Sequence, residues 1–224
     1  LEALKPAEAE DVVVVYFAGH GTAQRNRFYL IPHDLGYAGE RDKVSAAGLQ
    51  AVLEHSISDE ELTAAFEPLN AGQLLLVLDA CNSGQALEAE EKRRGPMNSK
   101  GLAQLAYEKG MYVLTAAQSY QAALEAAQLG HGLLTYALVQ EGLQKGEADS
   151  RAARDGRIVV REWFDYAAER VPRMRVEQLM LKRGLKVGSA VPTADRATAE
   201  EEVQRPRSFY RRELDAQPLV IAKP

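Results

Sequence analysis

Cysteine is nearly absent from this chain: Cys81 is the only one in 224 residues. A single thiol cannot close an internal disulfide, so nothing in the sequence demands an oxidising compartment. No apolar run approaches the ~20 residues that cross a bilayer as a helix. Positive charge is not in excess either. The formal net charge of -5 argues against a general nucleic-acid binder, which needs a basic face. Leu1 to Asp11 is mixed and acidic, unlike a secretory leader. The expectation is therefore a cytoplasmic chain with no nucleic-acid or membrane partner. An initiating Met is also lacking, which suggests a chain that begins inside a longer protein. No His and Cys spacing suits zinc. Asp155-Gly156 with Glu162 matches half of a calcium loop, but Arg151 and Ala153 would fill its first two ligand positions, so that reading is rejected. No metal or other cofactor is expected, and no internal repeat is visible.

What is present is an ordinary globular composition, 46% hydrophobic and 26% charged, read as one domain over residues 1–224. Asp11 to Ala18 carries four consecutive valines and reads as a strand buried on both faces, ended by Gly19-His20-Gly21. Leu74 to Leu78 is a second buried strand, ending at Asp79-Ala80-Cys81-Asn82-Ser83-Gly84. Between them, Ser58-Asp59-Glu60-Glu61 opens a helix with the capping-box spacing, running to about Leu69. Strand, helix, strand with a long intervening loop is a βαβ crossover, right-handed by default. Met111 to Ala116 is a third buried strand. Arg27 to Pro32 reads as a short edge strand, Gly36 to His55 as a surface loop, and Gly132 to Gln144 as a helix. Arg161 to Val171 reads as a helix closed by Pro172, and Leu219 to Ile221 as a last strand at the sheet edge. Residues 86–100, with Gly95-Pro96 and many charges, form a mobile linker; 190–207 is expected to be poorly ordered.

Taken alone, Cys81 reads equally well as a small buried apolar residue. His20 changes its standing. Both residues end apolar strands, and parallel neighbours bring them out at one sheet edge, where open α/β sheets carry their chemistry. There His20 can take the thiol proton and return it to a leaving amine. Gly21, without a Cβ, can offer its N–H to a developing oxyanion together with the N–H of Cys81. His33 and His55 lie in polar loops. His131 is the rival base, but Gly130-His131-Gly132 reads as a helix entry.

These two boxes, Tyr16 to Gly21 and Asp79 to Gly84, resemble those of the caspase-like cysteine peptidases (peptidase C14 type), and more closely the metacaspase and bacterial caspase-like branch. Caspases proper begin the cysteine box with Gln, with a His about 50 residues upstream. Here the interval is 61 residues and the box begins with Asp79. The resemblance implies an α/β caspase-type three-layer sandwich with a mostly parallel sheet. It also implies that the N-terminal strand and helices of the fold are missing, to be supplied by an upstream segment or domain of the same protein. The activity implied is endopeptidase cleavage of protein or peptide substrates after Arg or Lys, by a Cys81–His20 dyad and an acyl-thioester. An anionic Asp79 attracts a basic P1 side chain and repels an acidic one, although a carboxylate capping a turn is its plainer reading. Thr115 to Glu125 also resembles the family, making Gln121 and Glu125 further pocket residues. Lys92, Arg93, Arg94 and Lys100 are candidate self-processing sites in the linker. Some members of that branch require calcium, and the sequence shows no dedicated site for it. Two other readings stand beside this one: a non-catalytic caspase-like interaction or regulatory module, and a different thiol acyl-transfer enzyme such as an amidase.

Overall fold

The structure, a computed structural model, describes residues 1–24, 27–34, 46–82, 104, 106–116, 132–149, 154–182, 206–211 and 218–224. After a 3₁₀ turn at Glu2–Leu4 come β1 (Val12–Gln24), β2 (Arg27–Ile31), α1 (Ala46–Glu54), β3 (Ile57–Ser58), α2 (Asp59–Phe66), β4 (Gln73–Asn82) and β5 (Tyr112–Ala116). The chain continues with α3 (Leu133–Tyr136), which widens into π-helical turns over Ala137–Gln144, then β6 (Ile158–Val159), α4 (Val160–Lys182), β7 (Arg207–Phe209) and β8 (Val220–Ala222). Among the described residues, six strands form one sheet in the order β3-β2-β1-β4-β5-β7. Its centre, β1-β4-β5, is parallel; β2 and β7 run antiparallel to their neighbours, so the sheet is mixed.

Strand β4 is the seam of the molecule. Its residues alternate between two cores because successive strand side chains point to opposite faces. Leu75 and Val77 enter a core with Leu133, Leu134, Leu138, Phe164 and Val171 of α3, its π-helical extension and α4. Leu74, Leu76, Leu78 and Ala80 enter the other, with Leu62 and Phe66 of α2 and with Phe28 and Leu30 of β2. Helical layers on both faces make this a three-layer α/β fold. Each fully buried Leu or Val contributes roughly 1.5–3 kcal/mol over its exposed state, and a strand filled on both faces contributes twice per pair of residues.

Local chemistry explains the helix ends. Ser58 caps α2: its side chain accepts from the Glu61 N–H, and the Glu61 carboxylate accepts from the Ser58 N–H, the capping box in full. The π-helical segment is held by Trp163, whose indole N–H donates to the Leu138 carbonyl at 2.9 Å. Gly142 makes the room; a Cβ there would stand 3.3 Å from the Trp163 ring and 2.9 Å from the Ala137 carbonyl oxygen.

Several expectations are corrected. The first strand does not end at Gly19-His20-Gly21 but runs on to Gln24, because its upper half hairpins with β2. Accordingly β2 is not an edge strand: β3 pairs on its far side. Part of the expected loop is helical as α1, and α4 continues through Pro172 to Lys182. Proline removes one helical N–H, and burial of Val171, Met174 and Met180 on either side keeps the helix going. The last strand joins β6 in a separate two-stranded sheet rather than the main one. Arg207, expected to be poorly ordered, begins β7. The proposed linker at 86–100 and residues 190–205 lie outside the described residues.

Candidate active site

Strands β1 and β4 pair in parallel from Val12↔Gln73 to Gly21↔Asn82, and within that ladder His20 stands directly opposite Cys81. Adjacent strands lie about 4.8 Å apart, and parallel register partners share a face. So one face carries Tyr16, Ala18 and His20 on β1 beside Val77 and Asp79 on β4, and the Cys81 backbone stands opposite that of His20. His20 is exposed. Gly21 lies inside the sheet, paired with Leu30 on one side and Asn82 on the other, and its bare Cα faces the opposite core. A Cβ on Gly21 would sit 2.5 Å from the Phe28 ring.

Asp79 is buried, at 4% exposure. Its Oδ2 accepts from the Thr135 hydroxyl at 2.8 Å and from the Thr135 N–H at 3.3 Å. The Tyr16 hydroxyl is hydrogen-bonded in turn to the Thr135 hydroxyl. Burial pushes the Tyr16 phenol above its ordinary pKa; the bond to Thr135 works against that and the Asp79 charge adds to it. Ala18, opposite Asp79 in the ladder, is exposed. Thr135 and Tyr16 were not singled out by sequence reasoning. The one signal was Thr135 at the third position after Gly132, where a helix still has an unsatisfied N–H.

Of the other sequence candidates, Gln121, Glu125, Lys92, Arg93, Arg94, Lys100 and the rival base His131 lie outside the described residues. His33 is exposed, and the His55 ring Nδ1 is bonded to the Ala51 carbonyl on α1 at 2.9 Å, away from the strand ends. Among the described residues, no group of three or more His, Cys, Asp and Glu side chains is arranged to hold a metal ion. Among them, too, no helix is long and apolar enough to cross a membrane.

The site thus belongs to an α/β protein that sets a histidine opposite a cysteine on adjoining parallel strands. A family model described as the Caspase domain matches residues 2–199, and the chain belongs to that family, whose members are in general cysteine peptidases. No curated protein and no solved structure matches the chain.

Proposed function

We propose that this chain is a cysteine endopeptidase that cleaves after Arg or Lys, of the metacaspase-like kind. The observation that supports this best is the register pairing of His20 with Cys81 near the carboxyl end of the parallel β1–β4 ladder. In the reaction, His20 takes the Cys81 proton and the sulfur attacks the scissile carbonyl carbon. The N–H groups of Gly21 and Cys81 hold the oxyanion. Collapse of the tetrahedral intermediate breaks the C–N bond, and the amine leaves with the proton from His20. Water then hydrolyses the acyl-thioester, with His20 accepting its proton and the thiol restored. The reaction as written uses no cofactor.

Asp79 supplies the negative charge that favours a basic P1 residue, with Gln121 and Glu125 as further walls of the same pocket. Lys92, Arg93, Arg94 and Lys100 match that preference and serve as self-processing sites. The upstream part of the same protein completes the sheet. Among the described residues, no strand pairs with Val12–Gly19 on the side away from β4, and Val12, Val14 and Tyr16 are 46%, 52% and 42% exposed. An unpaired strand edge with an apolar face is what an additional strand and covering helix would fill.

The test is turnover of paired fluorogenic peptides with Arg, Lys, or Asp at P1 by the complete protein, beside a Cys81→Ala control. Thiol-dependent release after Arg or Lys is expected. Turnover only after Asp would overturn the role of Asp79. No thiol-dependent turnover at all would leave the chain as a caspase-domain interaction module.

A further inference from the structure

Asp79 does not stand in the site by itself. As a carboxylate it can only accept hydrogen bonds, so the single Thr135 hydroxyl proton is committed to Oδ2. The Thr135 oxygen is then the acceptor for the Tyr16 O–H, and the chain runs in one direction: Tyr16 to Thr135 to Asp79. It crosses three elements, β1, α3 and β4. The backbone is shaped to admit it. A Cβ on Gly132 would lie 2.4 Å from the Asp79 Oδ2, so the carboxylate occupies space that only a glycine leaves open. Two observations therefore fix one oxygen of the same side chain: a directed donor chain on Oδ2 and a tight glycine contact beside it.

We propose that Thr135 and Tyr16 are positioning residues for the Asp79 carboxylate, so that preference for a cationic P1 side chain is set by this three-residue chain and not by Asp79 alone. The proposal rests on the reading of Asp79 as the anion that faces P1. Charge-assisted hydrogen bonds of this kind are about twice as strong as neutral ones. A carboxylate held by them keeps one orientation as the cation arrives, whereas an unheld one would have to be ordered during binding. The effect therefore falls on substrate binding, and on cationic substrates only.

The test compares matched peptides with Arg or citrulline at P1, citrulline being the uncharged analogue of nearly the same shape. Thr135→Val keeps the branched side chain and the N–H but removes the hydroxyl. It is expected to lower kcat/KM for the Arg peptide about tenfold, through KM, with the citrulline peptide and the rate of Cys81 alkylation by iodoacetamide unchanged. Thr135→Ser should restore the Arg preference. Tyr16→Phe should weaken it less, roughly two- to fivefold, because it removes only the outer link. Equal losses on both peptides, a fall in kcat with KM unchanged, or failure of Thr135→Ser to restore would overturn the proposal. Should Thr135→Val not fold, Tyr16→Phe carries the same comparison. Asp79→Asn separates the two levels. If it abolishes the discrimination while neither positioning variant alters it, the positioning proposal alone falls. If Asp79→Asn leaves the discrimination intact, the reading of Asp79 falls and takes the positioning role with it.

Discussion

His20 and Cys81 are register partners near the carboxyl end of the parallel ladder between β1 and β4. His20 is also exposed, so its side chain contributes little to the packing beneath it. His20→Ala is therefore expected to leave the thermal midpoint nearly unchanged, as surface substitutions do. Its effect should fall on catalysis, lowering kcat/KM for a P1-Arg peptide by about 10²–10⁴-fold, the usual contribution of a positioned acid–base group. A thermal melt and a steady-state assay on the same preparation separate the two effects. A large loss of stability without a specific loss of turnover would assign His20 to the fold.

Gly21 is constrained from the other face. Adding a Cβ places it 2.5 Å from the ring of Phe28 and 3.3 Å from the Ala80 side chain, and Phe28 is itself buried. Overpacking of this kind costs about 1–3 kcal/mol. Gly21→Ala should lower the denaturant midpoint by a corresponding amount. Shortening the neighbour, in a Gly21→Ala, Phe28→Leu double variant, should recover part of it. If the double variant is only additively worse, the clash with Phe28 is not the cause.

The capping box of α2 gives a pH dependence with a defined sign. The Ser58 N–H, and then its hydroxyl, hold the Glu61 carboxyl below its ordinary value of 4.5. A group whose pKa is lowered by folding stabilises the fold above its unfolded pKa and loses that contribution as pH falls through its folded one. The gap in thermal midpoint between the parent and Glu61→Ala should therefore be full at neutral pH and close as the pH drops below 4.5. Ser58→Ala should cost about 1 kcal/mol at neutral pH. A gap that stays constant down to strongly acidic pH would show that the carboxylate is not part of the cap.

A second ionic group ties the π-helical segment to α4. Arg170 clasps Glu141 in bidentate fashion at 2.7 and 3.1 Å and reaches Glu177 at 2.8 Å, while the Tyr166 hydroxyl donates to Glu141 at 3.2 Å. Burial opposes the charge on Glu141, and Arg170 overrides it, so the carboxyl sits below its ordinary range. Burial, followed by the Glu141 charge, pushes Tyr166 up to about 12. Glu141→Gln is expected to bring the tyrosinate absorbance transition of Tyr166 to lower pH, since its anionic neighbour is gone. It should also destabilise the chain by about 1–3 kcal/mol, as Arg170 loses its best partner. An unmoved Tyr166 transition would mean that burial alone sets it.

How much of this is legible in the sequence depends on the range of the interaction. The pairing of β1 with β4 could be read from the valine and leucine runs and the capped helix between them, because all three signals are local. The α2 capping box was visible for the same reason. The continuation of β1 past Gly21 was not, since it depends on pairing with β2. Helix α1 was overlooked although Leu49, Val52 and Leu53 have helical spacing, because charge and glycine around them read as loop. Pro172 reads as a stop, and only the buried residues on both sides of it explain why α4 ignores it. At the site, His20, Cys81 and Asp79 announce themselves by following apolar runs in the sequence. Thr135 does not. It meets Asp79 across 56 residues of chain, and no spacing rule spans that distance.

Strand β4 raises one last point. Leu74 through Leu78 are aliphatic on both faces, so hydrophobicity alone would accept the strand one residue out of step as readily as in step. Asp79 would not. A slip of one residue would drive its carboxylate into the core of Leu62 and Phe66 and set Ala80 before the Thr135 hydroxyl. Asp79 is thus a proofreading residue for the strand: it makes the misaligned fold costly, and so favours the register in which residue 81 stands opposite His20.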